Sequence, residues 1–130
     1  MLKKAKFLAK EATLRVRYIM DKDCIFCKIV AGEIKSKLLF ESETVIAFFD
    51  INPVTDVHIL IVPKKHISSV LTIEKADCGE IVDMFGVASK LASDMTLESF
   101  RLAFNAGKFQ HVPHLHMHLL AGSKIEWKKL

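Results

Sequence analysis

Three histidines two residues apart, His114, His116 and His118, stand in the run Pro113-His114-Leu115-His116-Met117-His118-Leu119-Leu120. Period-two alternation belongs to extended backbone, where successive side chains point to opposite faces. The spacing predicts a strand with three imidazoles on one face and Leu115, Met117 and Leu119 on the other. On a helix each two-residue step turns by about 200°, so the rings would diverge. Each ring brings a donor and an acceptor that need partners. A row of them is therefore costly as plain core and marks a candidate site.

The remaining pattern frames that strand. Ile25, Phe26, Ile29 and Val30 suggest a short helix over Cys24 to Ile34, closed near Gly32. Leu38 to Glu41 and Thr44 to Asp50 read as strands divided by a turn, and Asn52-Pro53 breaks the chain after them. Val57 to Val62 is a third strand, apolar except for His58, which by itself reads as a core histidine. From about Ile73 to Asp94, apolar residues recur at Ile81, Val82, Phe85, Ala88, Leu91 and Ala92, the spacing of one long helix. Ser99 to Asn105 alternates Phe100, Leu102 and Phe104, and the histidine strand runs from His114 to Ala121. The fold class expected is α+β: a mainly antiparallel sheet of about five strands, one long helix and a short N-terminal helix.

At 130 residues, 51% of them hydrophobic, the chain can fill one domain's core. No apolar run reaches the length of a membrane span. Charge is unevenly placed. Residues 1–20 hold six Lys or Arg against Glu11, which leaves 13 cations and 14 anions for the rest. A generic nucleic-acid surface on the folded domain is thereby excluded, because phosphate binding needs clustered cations there. We divide the chain into a basic N-terminal extension, 1–22, and a domain, 23–130. The extension lacks the apolar core of a secretory signal. With Cys24, Cys27 and Cys78 an odd set, reduced thiols and a cytoplasmic protein are the expectation. The Cys24-x-x-Cys27 pair alone admits three readings: a redox dithiol, half of a zinc site, or two small buried apolar residues. Cys78, at the start of the long helix, reads as inert.

The run from His114 to Leu120 resembles the motif of the histidine triad superfamily, His-φ-His-φ-His-φ-φ with φ apolar. Further blocks support the resemblance over about residues 24 to 127: Cys24-Ile-Phe-Cys27-Lys-Ile-Val, Gly32-Glu-Ile, Phe49-Asp50-Ile-Asn52-Pro53, His58-Ile-Leu-Ile-Val-Pro63-Lys-Lys-His66-Ile, Asn105-Ala-Gly107 and Gln110-His-Val. The ending Leu120-Ala-Gly122 followed by Trp127 is similar to the histidine-triad nucleotide-binding (Hint) branch, whose members act as phosphoramidases.

The resemblance implies a purine nucleotide-binding hydrolase or transferase. It would act at the α-phosphorus of nucleoside monophosphate derivatives, of adenosine phosphoramidate or aminoacyl adenylate type, through a nucleotidyl-histidine. His116 would be the nucleophile, with His118, His114 and His58 in the catalytic network. Asp50 would hold the ribose hydroxyls and Ile51 the base, while Asn105, Gln110, His111 and Val112 would surround the phosphate and leaving group. Taken alone, Asp50 reads as a turn residue at a strand end. Members with this cysteine pair resemble zinc-bearing forms, which implies a structural zinc on Cys24, Cys27, His66 and His114, without an organic cofactor. A homodimer through the long helix is also implied, and Met84, Phe85 and Val87 of that helix are its candidate contacts. Dinucleoside polyphosphate hydrolysis, or a nucleotide-binding regulator with little turnover, are the alternatives. The chain departs from the branch at His111, where a serine is usual, in a shorter loop before Gln110, and at Lys35. His111 could act as an acid or fill space.

Overall fold

A computed structural model describes residues 21–123. Most of the basic extension, and Trp127, lie outside the described residues. Helix α1 spans Ile25–Val30, followed by strands β1 (Leu38–Glu41), β2 (Val45–Phe49) and β3 (Val57–Pro63). Helix α2 covers Cys78–Asp94, and strands β4 (Arg101–Ala103) and β5 (Met117–Ala121) complete the set. The strands form one antiparallel sheet in the order β1-β2-β3-β5-β4. This is the expected α+β architecture.

Alternation along the inner strands sorts two cores onto opposite faces. Val45, Ala47, Ile59, Ile61, Met117 and Leu119 meet Met84, Val87, Ala88 and Leu91 of α2. Ile46, Phe48, Leu60 and Val62 face the other way, against Phe26, Cys27 and Val30 of α1. A strand covered on both sides is apolar throughout, which accounts for β3. Its exception, His58, shares a face with His118: His58 pairs with Leu120 and Leu60 with His118, so the two histidines are diagonal neighbours across the ladder.

Strand β4 is trimmed to Arg101–Ala103 within the expected Ser99 to Asn105, and three element boundaries differ more from the expectation. Helix α1 is shorter because Gly32, at φ 80°, turns the chain, and the N–H groups of Glu33 and Ile34 return to the Lys28 carbonyl. Helix α2 starts at Cys78, not near Ile73. Two 3₁₀ turns precede it, in which Ser69 accepts from the Leu71 N–H and Asp77 from the Glu74 N–H. Strand β5 starts at Met117, not His114, since the His114 N–H bonds to Val112 O and the Leu115 N–H to Ile67 O, outside the ladder. A further correction concerns the helix face expected to dimerise. Met84 and Val87 belong to the protein's own core at 0% and 6% exposure, leaving Phe85, with Val82, on the surface.

Candidate active site

The row of histidines survives the shortened strand because residues 115–116 stay on the same side scheme as β5. Leu115, Met117 and Leu119 are buried in the α2-facing core. On the opposite face the His116 and His118 ring centroids are 5.0 Å apart. Phe26 of α1 stands edge-on to both His114 and His116, at 5.7 and 5.2 Å, and walls the nucleophile candidate from solvent on that side.

His114 turns away from the other two. Its Nδ1 lies 3.3 Å from Cys24 Sγ, 3.6 Å from Cys27 Sγ and 3.1 Å from His66 Nδ1, and Cys27 Sγ is 3.2 Å from His66 Nδ1. Tetrahedral zinc with ordinary bond lengths places sulfur and nitrogen ligands ~3.5 Å apart and two nitrogens ~3.3 Å apart. The cluster has those dimensions, and all four ligand atoms lie within 4.8 Å of one another. The tautomer also fits. His114 Nε2 is 2.8 Å from the Pro63 carbonyl, to which it must donate, so Nδ1 keeps its lone pair for a metal. Burial pushes the Cys27 thiol up to about 12 and the His114 ring down to about 4, disfavouring their charged forms. A bound divalent cation reverses that preference at a thiol, which binds as thiolate. Cysteine and imidazole are zinc's preferred soft-to-intermediate donors, so these residues fit that ion.

Asp50, His58 and His118 form a second close group of possible ligands, but its hydrogen bonds point to another use. The Val54 N–H donates to His58 Nδ1 at 3.2 Å, which leaves that ring's proton on Nε2. Nε2–H donates to His118 Nδ1 at 2.8 Å and lies 3.3 Å from Asp50 Oδ2. No lone pair is left at Nε2 for a metal. With its Nδ1 taken by the His58 proton, neutral His118 carries its own proton on Nε2; Asn105 Nδ2 lies 3.4 Å from that nitrogen, so the side-chain amide accepts the proton only with its oxygen turned inward. The relay therefore ends in an outward N–H donor.

His116 has the complementary tautomer. Its Nδ1 is 2.8 Å from the His114 carbonyl and must donate there, so Nε2 presents a lone pair. Burial holds His116 below the ordinary imidazole range, and burial together with His116 and His58 pushes His118 down to about 4. Both rings are neutral at neutral pH. A nucleophilic nitrogen thus sits beside a hydrogen-bond donor, an arrangement suited to attack on a phosphorus whose oxygens need stabilising.

The other expected site residues gather around this pair with different degrees of engagement. Asp50 Oδ1 accepts the Asn52 N–H at 2.8 Å, so the residue serves the turn as well as the His58 relay. Ile51 is 92% exposed. Gln110 Nε2 donates to the carbonyls of Ser68 and Val112, at 2.7 and 2.9 Å, and so braces the loop. His111 is exposed beside it. Sequence reasoning missed the Pro63 and His114 carbonyls and the Val54 N–H, which decide three tautomers. Backbone groups leave no mark in a residue pattern. It also passed over Phe26 as a wall, although its place between the two cysteines ties it to the cluster.

A family model described as scavenger mRNA decapping enzyme C-term binding matches residues 23–129. A HIT-like protein of Synechocystis is 34% identical over 111 residues, covering 83% of this chain and 97% of that protein. The chain belongs to the histidine triad family. Within the family, the adenosine 5′-monophosphoramidase HINT3 of Danio rerio is 38% identical over 78% of this chain and 66% of its own length. A solved histidine triad family hydrolase from Clostridium thermocellum superposes with a TM-score of 0.79 at 40% identity, covering 85% of this chain and all of that one. The fold is thus that of the family's hydrolases, and the Cys24–Cys27 pair is in place.

Proposed function

We propose that the protein is a nucleotide hydrolase that transfers a nucleoside monophosphoryl group to His116 and then to water. The observation that carries this reading is the complementary pair of tautomers: a lone pair on His116 Nε2 beside a proton on His118 Nε2. His116 attacks the α-phosphorus, and the His118 N–H bonds a phosphate oxygen as charge develops there. Asp50 lies on the relay's open side, where its free lone pairs suit ribose hydroxyls, and Ile51 offers an exposed apolar surface for a purine. Asn105 and the Val112 backbone border the phosphate. The phosphoramidase among the relatives supports adenosine phosphoramidates or aminoacyl adenylates as the substrate type.

Cys24, Cys27, His66 and His114 would hold zinc. When bound, the ion supplies a cross-link between α1, the segment after β3 and the histidine run, with no open position for chemistry. Exposed Val82 and Phe85 on α2 support a homodimer. Free Cys24, Cys27 and Cys78 support a cytoplasmic location; among the described residues no helix is long and apolar enough to cross a membrane.

The test is intact mass spectrometry of protein quenched with adenosine 5′-phosphoramidate, beside His116→Ala and a dinucleoside polyphosphate arm. One AMP added to the wild type only, with turnover to AMP, is the expected result. Turnover that survives His116→Ala would sink the reading.

A further inference from the structure

His66 and His114 enter the thiol cluster through the same ring atom. The two Nδ1 atoms are 3.1 Å apart, and Cys27 Sγ lies 3.2 Å from that of His66 and 3.6 Å from that of His114. A neutral ring that offers Nδ1 to a metal carries its proton on Nε2, and that N–H needs an acceptor to hold the ring in place. For His114 the fold provides the Pro63 carbonyl at 2.8 Å and encloses the ring completely. The His66 side chain is 16% exposed, so packing alone holds it less firmly. Its Nε2 faces Asp21 Oδ2 at 3.9 Å, an ion-pair distance.

Asp21 is itself fixed to the cluster from behind. Its carbonyl accepts the Cys24 N–H at 3.1 Å, and its Oδ1 accepts the Asp23 N–H at 2.9 Å, closing an Asx turn. Cys24 Sγ in turn accepts the Cys27 N–H at 3.4 Å. Local bonds therefore run from Asp21 to both cysteines. With Oδ1 spent on the turn, Oδ2 is the oxygen directed at His66. By charge alone Asp21 falls in the basic extension, where it reads as one acid on a solvated tail. The fold places it over the side of His66 that points away from the sulfurs.

We propose that Asp21 is a positioning residue of the metal centre: its carboxylate takes the His66 Nε2–H, keeps Nδ1 turned toward the sulfurs and raises the donor strength of that nitrogen. This rests on the zinc reading of Cys24, Cys27, His66 and His114. The two imidazoles then have unlike supports, a neutral carbonyl behind the enclosed ring and a charged carboxylate behind the open one. A carboxylate orients a ligating histidine and makes it more basic, and loss of such a partner typically weakens metal binding about 10–100-fold. The working boundary of the domain accordingly lies at Asp21, two residues before the one that charge suggests.

The experiment measures zinc affinity of the full-length protein by competition with a chromophoric chelator. Wild type, Asp21→Asn, Asp21→Glu, His66→Cys and the double variant Asp21→Asn with His66→Cys are compared. Asparagine keeps an oxygen for the Asp23 N–H and removes the charge, while cysteine at 66 keeps a zinc ligand and removes the Nε2–H. Asp21→Asn is expected to weaken zinc binding about 10–100-fold, with the metal-free protein melting as the wild type does. In the His66→Cys background the same change should alter affinity by less than about threefold, because the group it acts through is gone. Asp21→Glu, which retains the carboxylate, should bind zinc more tightly than Asp21→Asn, and it decides the matter if His66→Cys takes up no zinc. Wild-type affinity in Asp21→Asn would overturn the proposal. So would equal loss in both backgrounds, a lower melting point of metal-free Asp21→Asn, or Asp21→Glu binding no better than Asp21→Asn, each of which makes Asp21 a residue of the turn only. A wild type that takes up no zinc removes the zinc reading itself, which separates the two failures.

Discussion

The carbonyl oxygen of His114 lies 2.8 Å from His116 Nδ1, while the ring of the same His114 directs its own Nδ1 into the Cys24 and Cys27 sulfurs. One residue therefore ties the thiol cluster to the tautomer of its neighbour. Whatever displaces the His114 ring also shifts the carbonyl that keeps the His116 proton on Nδ1.

Loss of the cluster should accordingly lower both stability and turnover, although its four ligand atoms converge on one another and not on His116 and His118. Cys27→Ala is expected to lose bound zinc and about 3 kcal/mol, or roughly 10 °C in Tm for a domain of this size. Metal content and thermal melting on one preparation check it. A variant with the wild-type melting curve would show that the four side chains pack without a metal.

His118 should matter through its N–H. Replacing it by phenylalanine keeps ring volume and removes the donor, and loss of one such donor typically costs 10²–10³ in kcat, about 3–4 kcal/mol. We expect a drop of that order in the rate of adduct formation, with nucleotide binding less affected. Stopped-time quench and equilibrium AMP binding separate the two. A variant that loses AMP binding and keeps its chemical rate would reassign His118 to ground-state affinity.

Acid should destabilise the protein in a defined window. The unfolded His118 ring takes up a proton below about 6.5, but in the fold burial and its histidine neighbours delay protonation to about 4. Between these values the unfolded state binds more protons, so stability falls as pH falls and the contribution is spent below about 4. His58, also held low by burial, adds in the same direction. Tm measured from pH 7 to pH 4 at saturating zinc should decline more steeply for wild type than for His118→Phe. Parallel curves would contradict the assignment.

Much of this site was legible because alternation is a strong signal. Leu115, Met117 and Leu119 against His114, His116 and His118 dictate two faces whether or not a ladder forms, so the row was correct although β5 begins only at Met117. The cysteine pair by itself left three uses open, and His66 and His114 were joined to it only by the family resemblance; in the fold their four ligand atoms lie within 4.8 Å of one another. Boundaries were less legible. Ser69 and Asp77 cap 3₁₀ turns ahead of α2, and no periodicity separates those turns from a helix start. Met84 and Val87 looked surplus to one helical stripe, yet a sheet face as wide as this one covers both. The relay through the Val54 N–H depends on how a loop closes over His58, which residue types do not report.

The exposed stripe on α2 leads to a separate expectation. Val82 and Phe85 are 68% and 47% exposed, and Phe85 lies 6.4 Å from Phe104, beside the edge strand β4. Exposed apolar side chains next to an open strand edge favour association. Phe85→Glu should convert a dimer to a monomer in sedimentation equilibrium while its far-UV circular dichroism stays that of the wild type. A wild type that sediments as a monomer would remove the homodimer from the reading.

Gly122 offers a test of how the end of β5 is held. Its φ of 122° lies where side chains rarely go, and an added Cβ would stand 2.5 Å from Asp56 Oδ2. That carboxylate accepts from the Ser123 N–H at 3.0 Å and from its hydroxyl at 3.2 Å. One residue earlier, buried Thr55 donates its hydroxyl to the Ala121 carbonyl at 3.0 Å. Residues 55 and 56 thus clasp the chain as it leaves the strand that carries His118. Gly122→Ala combines backbone strain with a clash against this clasp, and strain of that kind costs of order 1–3 kcal/mol. The variant should melt several degrees lower, and adding Asp56→Ala, which removes the carboxylate but keeps the Asp56 Cβ 2.7 Å from the new one and gives up two hydrogen bonds, should not restore it. If Gly122→Ala melts with the wild type, the left-handed conformation and the close approach are not features the fold depends on, and the end of β5 is free to shift without loss to the site.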